Sequence, residues 1–303
     1  MPEIPDIEAY LAALASRTVG CKLLQVRLAS PFLLRSVDPP ITAAEGKRVK
    51  ALQRLGKRLV FVLEEDLFLI LHLMIAGRLH WKEPGATIPR RSGLAAFDFS
   101  SGSLLLTEAG SKKRASLYLV AGSDDLQRHN PGGLEVLEAD LATFGEVMQR
   151  ENHTLKRALT DPHILSGIGN AYSDEILHHA RLSPFQQTAR LSASELDRLY
   201  GSIREVLTLW TTRLKAEAGA EFPRKVTAFR PEMAVHGRYG EACPDCGTAV
   251  QRILYANNEA NYCPRCQTDG RILADRVLSR LLKKDWPRTI EELEGQFASR
   301  NAI

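Results

Sequence analysis

Residues 5–17 read PDIEAYLAALASR, and Ile7, Tyr10, Leu11 and Leu14 recur at the spacing of one helical face. The pattern predicts an amphipathic first helix, with Pro5 in its first turn and Asp6 and Glu8 near the positive end of its dipole. From about 21 to 122 the period changes to short apolar runs between turn residues: KLLQVRLA, RLVFVL, LFLILHLM, FDFS, SLLLTE and SLYLVA. Such runs predict an antiparallel sandwich or barrel.

After HNPGG near 130 the helical period returns and persists to about 218. Ser192 and Glu195 form a capping-box pattern ahead of Leu196, Leu199, Tyr200, Ile203, Val206, Leu207 and Trp210, which share one face. AEAGAEFPRK near 216–225 interrupts the pattern, and a cysteine module follows. The expected architecture is an α+β multidomain chain. A helix plus antiparallel β-sandwich covers 1–128, a helical domain 129–222, a cysteine hairpin module 223–270 and a helical C-terminal extension 271–303.

Composition adds less than clustering does. The 303 residues carry a net charge of +4, a mildly basic balance that does not by itself select nucleic acid as a partner. Lys47, Arg48, Lys50, Arg54, Lys57 and Arg58 crowd one stretch; Lys112, Lys113 and Arg114 are consecutive; Lys156 pairs with Arg157 and Arg224 with Lys225. Each run suits a solvated face, and phosphate binding requires several to converge. No basic-then-apolar leader pattern or membrane-length apolar stretch is evident, so the expected location is the cytoplasm of a bacterial-type cell, near the nucleoid.

Four of the five cysteines, Cys243, Cys246, Cys263 and Cys266, fall as two CxxC pairs sixteen residues apart. Two such knuckles at the ends of a hairpin can close a tetrahedral thiolate site, which predicts one structural Zn²⁺ per chain with no open position for catalysis. The hairpin between them, QRILYANNEANY, either lies against a nucleic-acid groove or is a small unit that needs metal to fold. In SGIGNAYSDEIL, glycines 167 and 169 precede a helix start, where backbone N–H groups suit an anion and Asn170 can cap or donate. The same turn also suits a tightly packed helix–turn–helix corner.

Taken in order along residues 1–267, these motifs resemble the formamidopyrimidine-DNA glycosylase and endonuclease VIII family of base-excision repair enzymes. MPEIPDIE is similar to that family's MPELPEVE, RLGKRLVFVL carries its hairpin lysine at Lys57, and HLMIAGRL is similar to HLGMSGSL. Lys156 through Asp161 to GIGNAYSDE resembles the helix-two-turns-helix motif, and VHGRYGEAC with the cysteines resembles the zinc-finger approach. The resemblance implies a monomer that clamps damaged DNA between its domains. Pro2, freed by removal of Met1, would attack C1′ and expel the base, Glu3 would act as the acid, and Lys57 would contact a phosphate or assist near the sugar. It also implies that Lys156 and Asn170 hold phosphates and that residue 75 wedges into the stack.

Four positions depart from the family pattern. Asp6 replaces a glutamate, and Ile75 replaces the wedge methionine. LTEAGSKKRASLYL replaces the loop that carries an arginine and a phenylalanine, so Lys112, Lys113 and Arg114 are expected to supply phosphate contacts instead. Asn258 stands where the finger arginine would be, which predicts weaker δ than β elimination, because an amide cannot offset a phosphate's charge. Two other readings stay open: an abasic-site lyase with little glycosylase activity, and a non-catalytic structure-specific DNA-binding protein.

Overall fold

The computed structural model describes residues 1–301 apart from 225, 256 and 257, together with the side chains of all but 258, 276–278, 285 and 296–301. Lys225 and Asn257 therefore lie outside the described residues, as does the side chain of Asn258. The chain divides into two compact units, residues 1–133 with 207–228, and residues 134–206 with 229–303.

The first unit starts with α1 (Ile4–Thr18), which buries Ile7, Tyr10, Leu11 and Leu14 as their spacing predicts. Eight strands follow: β1 (Leu23–Leu28), β2 (Val49–Leu55), β3 (Arg58–Leu63), β4 (Leu67–His72), β5 (Gly77–Lys82), β6 (Gly93–Phe99), β7 (Gly102–Glu108) and β8 (Ser116–Ala121). They form two antiparallel four-stranded sheets, ordered β1-β6-β7-β5 and β2-β3-β4-β8. Both sheets turn leucines and phenylalanines inward to one core that the α1 side chains join; Phe61 and Phe99 stack across it with ring centres 6.0 Å apart. The expected sandwich is present, closed at one flank by a helix.

Two strands escape the apolar-run pattern. β2 alternates poorly because Lys50, Ala51 and Gln53 are exposed while Arg54 is half-buried against Glu8, and β5 mixes Arg78, His80 and Lys82 with Leu79 and Trp81. Their strand state comes from ladder pairing with β3 and β7, a tertiary contribution that outweighs local pattern. A short helix, α2 (Ser123–Gln127), follows β8.

The second unit contains α3 (Leu141–Gln149), α4 (Leu155–Thr160), α5 (Asn170–His179), α6 (Ala193–Ala218), the hairpin β9 (Gln251–Tyr255) and β10 (Asn258–Tyr262), α7 (Pro264–Thr268), α8 (Arg276–Leu282) and α9 (Ile290–Asn301). The capping box ahead of α6 is formed: the Ser192 N–H donates to Glu195 Oε2 at 2.9 Å, and the Glu195 N–H donates to Ser192 Oγ at 3.2 Å. This helix is shared between the units, since residues from 207 onward group with the sandwich. No helix among the described residues is long and apolar enough to cross a membrane.

Candidate functional site

The N-terminal residues are held by the helix they start. Glu3 is the N-cap of α1, Asp6 occupies its third position, and the Glu3 N–H donates to Asp6 Oδ2 at 3.1 Å. Both carboxylates are almost fully buried, at 2% and 3% exposure. Asp6 thus fixes the backbone that presents Glu3, while Glu8 pairs with Arg54 at 3.3 Å and Lys215 at 3.5 Å. Tyr10, one turn on, accepts the Leu79 N–H at 3.3 Å and ties α1 to β5. Burial pushes its phenol up to about 12.

Lys57 reaches this cluster from the two-residue turn between β2 and β3, where Gly56 takes φ +60° and Leu55 pairs with Arg58. Burial lowers the basicity of the Lys57 ammonium, and the charge of Glu3 opposes that shift. The Met1 amine lies in the same group. Burial chiefly lowers its pKa and the charges of Arg78 and Lys57 add to this, whereas Glu3 and Asp6 raise it. Pro2, Glu3 and Lys57 are therefore brought together, and Arg78 joins them although no sequence pattern singles it out.

Ile75 sits on the loop between β4 and β5 and is half exposed, although the leucines on either side, Leu73 and Leu79, are buried. The loop is built tightly: Met74 takes φ +53°, the Gly77 N–H donates to Leu73 O, and a Cβ at Gly77 would stand 2.3 Å from that oxygen. Arg78 Nη1 donates to the carbonyls of Ile75 at 3.1 Å and Gly77 at 2.7 Å, fixing the tip. On the loop after β7, the buried Glu108 carboxylate accepts from the Arg114 and Ala115 N–H groups at 2.8 and 3.1 Å. Lys113 turns its ammonium back to the Glu108 carbonyl, leaving Lys112 and Arg114 exposed.

In the second unit, Lys156 of α4 is buried, and its ammonium donates to Asn170 O at 2.8 Å, Ser173 Oγ at 2.8 Å and Asp174 Oδ1 at 2.5 Å. Those three bonds use its three donors. The other Asp174 oxygen meets His236 Nδ1 at 2.8 Å, and the neighbouring Glu175 accepts from the backbone N–H groups of Ala234, Val235 and His236 at 2.7–3.0 Å. Gly169, not Asn170, is the N-cap of α5, and the Asn170 amide donates to Glu259 O of β10 at 2.9 Å. Lys156 and Asn170 do come together, as a pin between the glycine turn, α5 and the hairpin.

The four cysteine sulfurs cluster within 4.8 Å of one another, with Cys246–Cys263 at 3.4 Å and Cys243–Cys266 at 3.9 Å. A tetrahedral zinc with Zn–S bonds of ~2.3 Å sets its sulfurs ~3.8 Å apart, so the group has the dimensions of a four-thiolate metal site. His178 of α5 approaches Cys243 Sγ at 3.3 Å, and Arg181 pairs with Asp245 of the first knuckle at 2.6 Å.

Sequence and structure comparisons bear on the same elements. The family model for the formamidopyrimidine-DNA glycosylase N-terminal domain matches residues 1–110, and that for the formamidopyrimidine-DNA glycosylase H2TH domain matches 133–216. The formamidopyrimidine-DNA glycosylase of Heliobacterium modesticaldum is 31% identical over 280 residues, covering 88% of this chain and 100% of the relative. The chain belongs to the formamidopyrimidine-DNA glycosylase family. Among solved structures, the Lactococcus lactis Fpg in complex with abasic-site DNA matches with a TM-score of 0.76 at 25% identity, covering 88% of this chain and 99% of that one. The Lactococcus lactis Fpg bound to DNA containing an oxidized pyrimidine matches at 0.77 and 26%, covering 88% and 100%.

Within this formamidopyrimidine-DNA glycosylase fold, the residues that sequence reasoning missed owe their roles to burial and to groups that folding brings beside them. Asp174 pairs with Lys156 eighteen residues back and with His236 sixty-two residues on, and the Glu175 partners lie about sixty positions away. His72, at the end of β4, is pushed down to about 4 by burial first and then by the charges of Arg58 and Lys57. Its imidazole is neutral in the folded chain at neutral pH, whereas an unfolded histidine takes its proton near ~6.5. Between those values the unfolded state binds more protons, so His72 makes the fold lose stability as pH falls from about 6.5 to about 4, with no contribution above that window. Urea midpoints at pH 7 and pH 4.5 should therefore differ less for His72→Gln than for the natural chain; an equal difference contradicts this assignment.

Proposed function

We propose that the chain is a base-excision DNA-repair enzyme, a bifunctional DNA glycosylase and abasic-site lyase acting on damaged, oxidised bases through its N-terminal proline. The observation that carries this reading is the convergence of Pro2, Glu3 and Lys57 at the start of α1, beside an N-terminal amine whose pKa burial lowers. Once Met1 is removed, the Pro2 secondary amine faces the same groups. A nucleophile needs its lone pair, and burial, with Arg78 and Lys57 adding and Glu3 and Asp6 opposing, shifts the amine toward the unprotonated form.

The chemistry follows from those groups. The Pro2 nitrogen bonds to C1′ while the N-glycosidic bond breaks, and the base departs with its electron pair and takes up the proton that the Pro2 nitrogen loses. Glu3, fixed by the Asp6 back-bond, gives a proton to the sugar ring oxygen as the ring opens to an iminium. Loss of a C2′ proton then expels the 3′ phosphate by β elimination. Lys57 stands beside this path. Relatives crystallised with abasic-site and oxidized-pyrimidine DNA support this substrate class.

Zinc is the metal that the four thiolates fit best, and when bound it would order the hairpin rather than activate water, since four sulfurs fill its coordination. His178 and the Arg181–Asp245 pair support the knuckles from α5. Lys156 is better read as the pin of the glycine turn than as a free phosphate ligand, because a phosphate would have to displace one of its three partners. The exposed backbone-binding cations of the β7–β8 loop are Lys112 and Arg114, with Lys113 engaged in holding the loop.

Borohydride trapping on duplexes with an oxidised base or an abasic site tests the reading. The Met1-free chain should give a covalent adduct that peptide mapping assigns to Pro2, and a chain with extra residues ahead of Pro2 should give none. An adduct on Lys57, or no adduct on any substrate, contradicts it, and trapping on abasic DNA without release of an oxidised base selects the lyase-only alternative. Strand products should end mainly at β elimination, as Asn258 implies. Replacing both Lys112 and Arg114 with alanine should lower the slope of log K against log salt by about two, from two lost phosphate contacts at ~0.9 each. An unchanged slope removes them from the DNA interface.

A further inference from the structure

A cavity of about 650 Å³ opens in the second unit between α4, the segment after α5, and β9. Phe185, Leu254 and Tyr255 line it, and each is more than a third exposed, so three of the molecule's solvent-facing large apolar side chains meet at one concavity. Arg157 and Thr160 of α4 supply polar groups, and no carboxylate belongs to the lining among the described residues. The Arg157 guanidinium makes no hydrogen bond or ion pair to any described residue, while the neighbouring Lys156 ammonium is fully engaged. The volume lies within the range of sites that enclose a small organic ligand.

The far wall comes from the C-terminal extension. Ala274 lines the cavity, Asp275 Oδ2 accepts the Leu254 N–H at 2.8 Å, and the Tyr262 hydroxyl accepts the Leu273 N–H at 2.8 Å. The extension is thereby fastened to the hairpin, and it begins after the 1–267 stretch that resembles the family. Two exposed aromatic rings with an unpaired guanidinium match a planar aromatic group that carries an anion. A nucleotide has that chemistry. DNA is the nucleotide source the surroundings favour: Leu254 pairs with Glu259, whose carbonyl holds Asn170 at the glycine turn, so the cavity lies one strand away from that turn.

We propose that this cavity takes an unpaired nucleotide of the DNA strand, its base against Phe185 and Tyr255 and its phosphate on Arg157, an assignment that rests on DNA being the substrate. The site favours damaged duplexes with a single-stranded extension over blunt ones, as would arise at a gap, nick or frayed end. Base–aromatic stacking tolerates any sequence, so the preference is for the tail and not for its bases.

The experiment uses the full chain and duplexes bearing a stable abasic-site analogue, blunt or with a single-stranded thymidine tail that includes 5-iodo-2′-deoxyuridine. Irradiation should join the tail to Phe185 or Tyr255, as identified by peptide mapping. Phe185→Ala and Tyr255→Ala should each weaken tailed-duplex binding by about tenfold, with blunt-duplex binding unchanged and Tyr255→Phe at the natural affinity. Crosslinks confined to other residues, or a natural chain with equal affinity for both duplexes, overturn the proposal and leave the DNA reading standing. Failure to bind either duplex overturns both. Thymidine monophosphate that competes as well as the tail assigns the cavity to free nucleotides and overturns the strand-borne assignment.

Discussion

The first residues of a chain usually fray, and the nucleophile proposed for this chain can work only if they do not. Here the constraint is met by a helix cap. Asp6 reaches back to the Glu3 N–H, the two carboxylates are buried, and Tyr10 anchors the same helix to β5 through Leu79. The sandwich then supplies the surroundings: the β2–β3 turn delivers Lys57, and β5 delivers Arg78, which also clamps the Ile75 loop. Each of these placements depends on α1 lying where its apolar face meets the core of both sheets.

The second unit solves a similar problem with buried charge. Asp174 bridges Lys156 and His236, and Glu175 gathers three consecutive backbone N–H groups ahead of the first cysteine knuckle. Removing one partner of a buried pair leaves an unpaired charge at a cost of about 3–5 kcal/mol, so these acids specify how the glycine turn, hairpin and cysteine cluster are assembled. His178 on the same helix meets Cys243, so one helix organises both the glycine turn and the cysteine cluster.

Much of this was legible locally. Helix α1, the α6 cap and the cysteine spacing follow from short-range patterns, because each is fixed by residues three or four apart. Strands β2 and β5 were not, since their polar outer residues mask the alternation and cross-strand pairing decides them. Pro2, Glu3 and Lys57 emerged through resemblance of ordered motifs, not from periodicity. Arg78 and His72 were invisible because burial and proximity give them their importance. The division of α6 between the two units was equally hidden, as no change of pattern marks residue 207.

We propose that the fold lowers the basicity of its N-terminal amine, chiefly by burial, with the charges of Arg78 and Lys57 adding to the shift and those of Glu3 and Asp6 opposing it. The most direct measurement is the ¹⁵N NMR titration of Pro2 in the Met1-free chain. The account predicts a Pro2 pKa below that of an unstructured peptide with the same N-terminus, and a rise toward the peptide value in Arg78→Ala. An unshifted or raised pKa in the folded chain would contradict it.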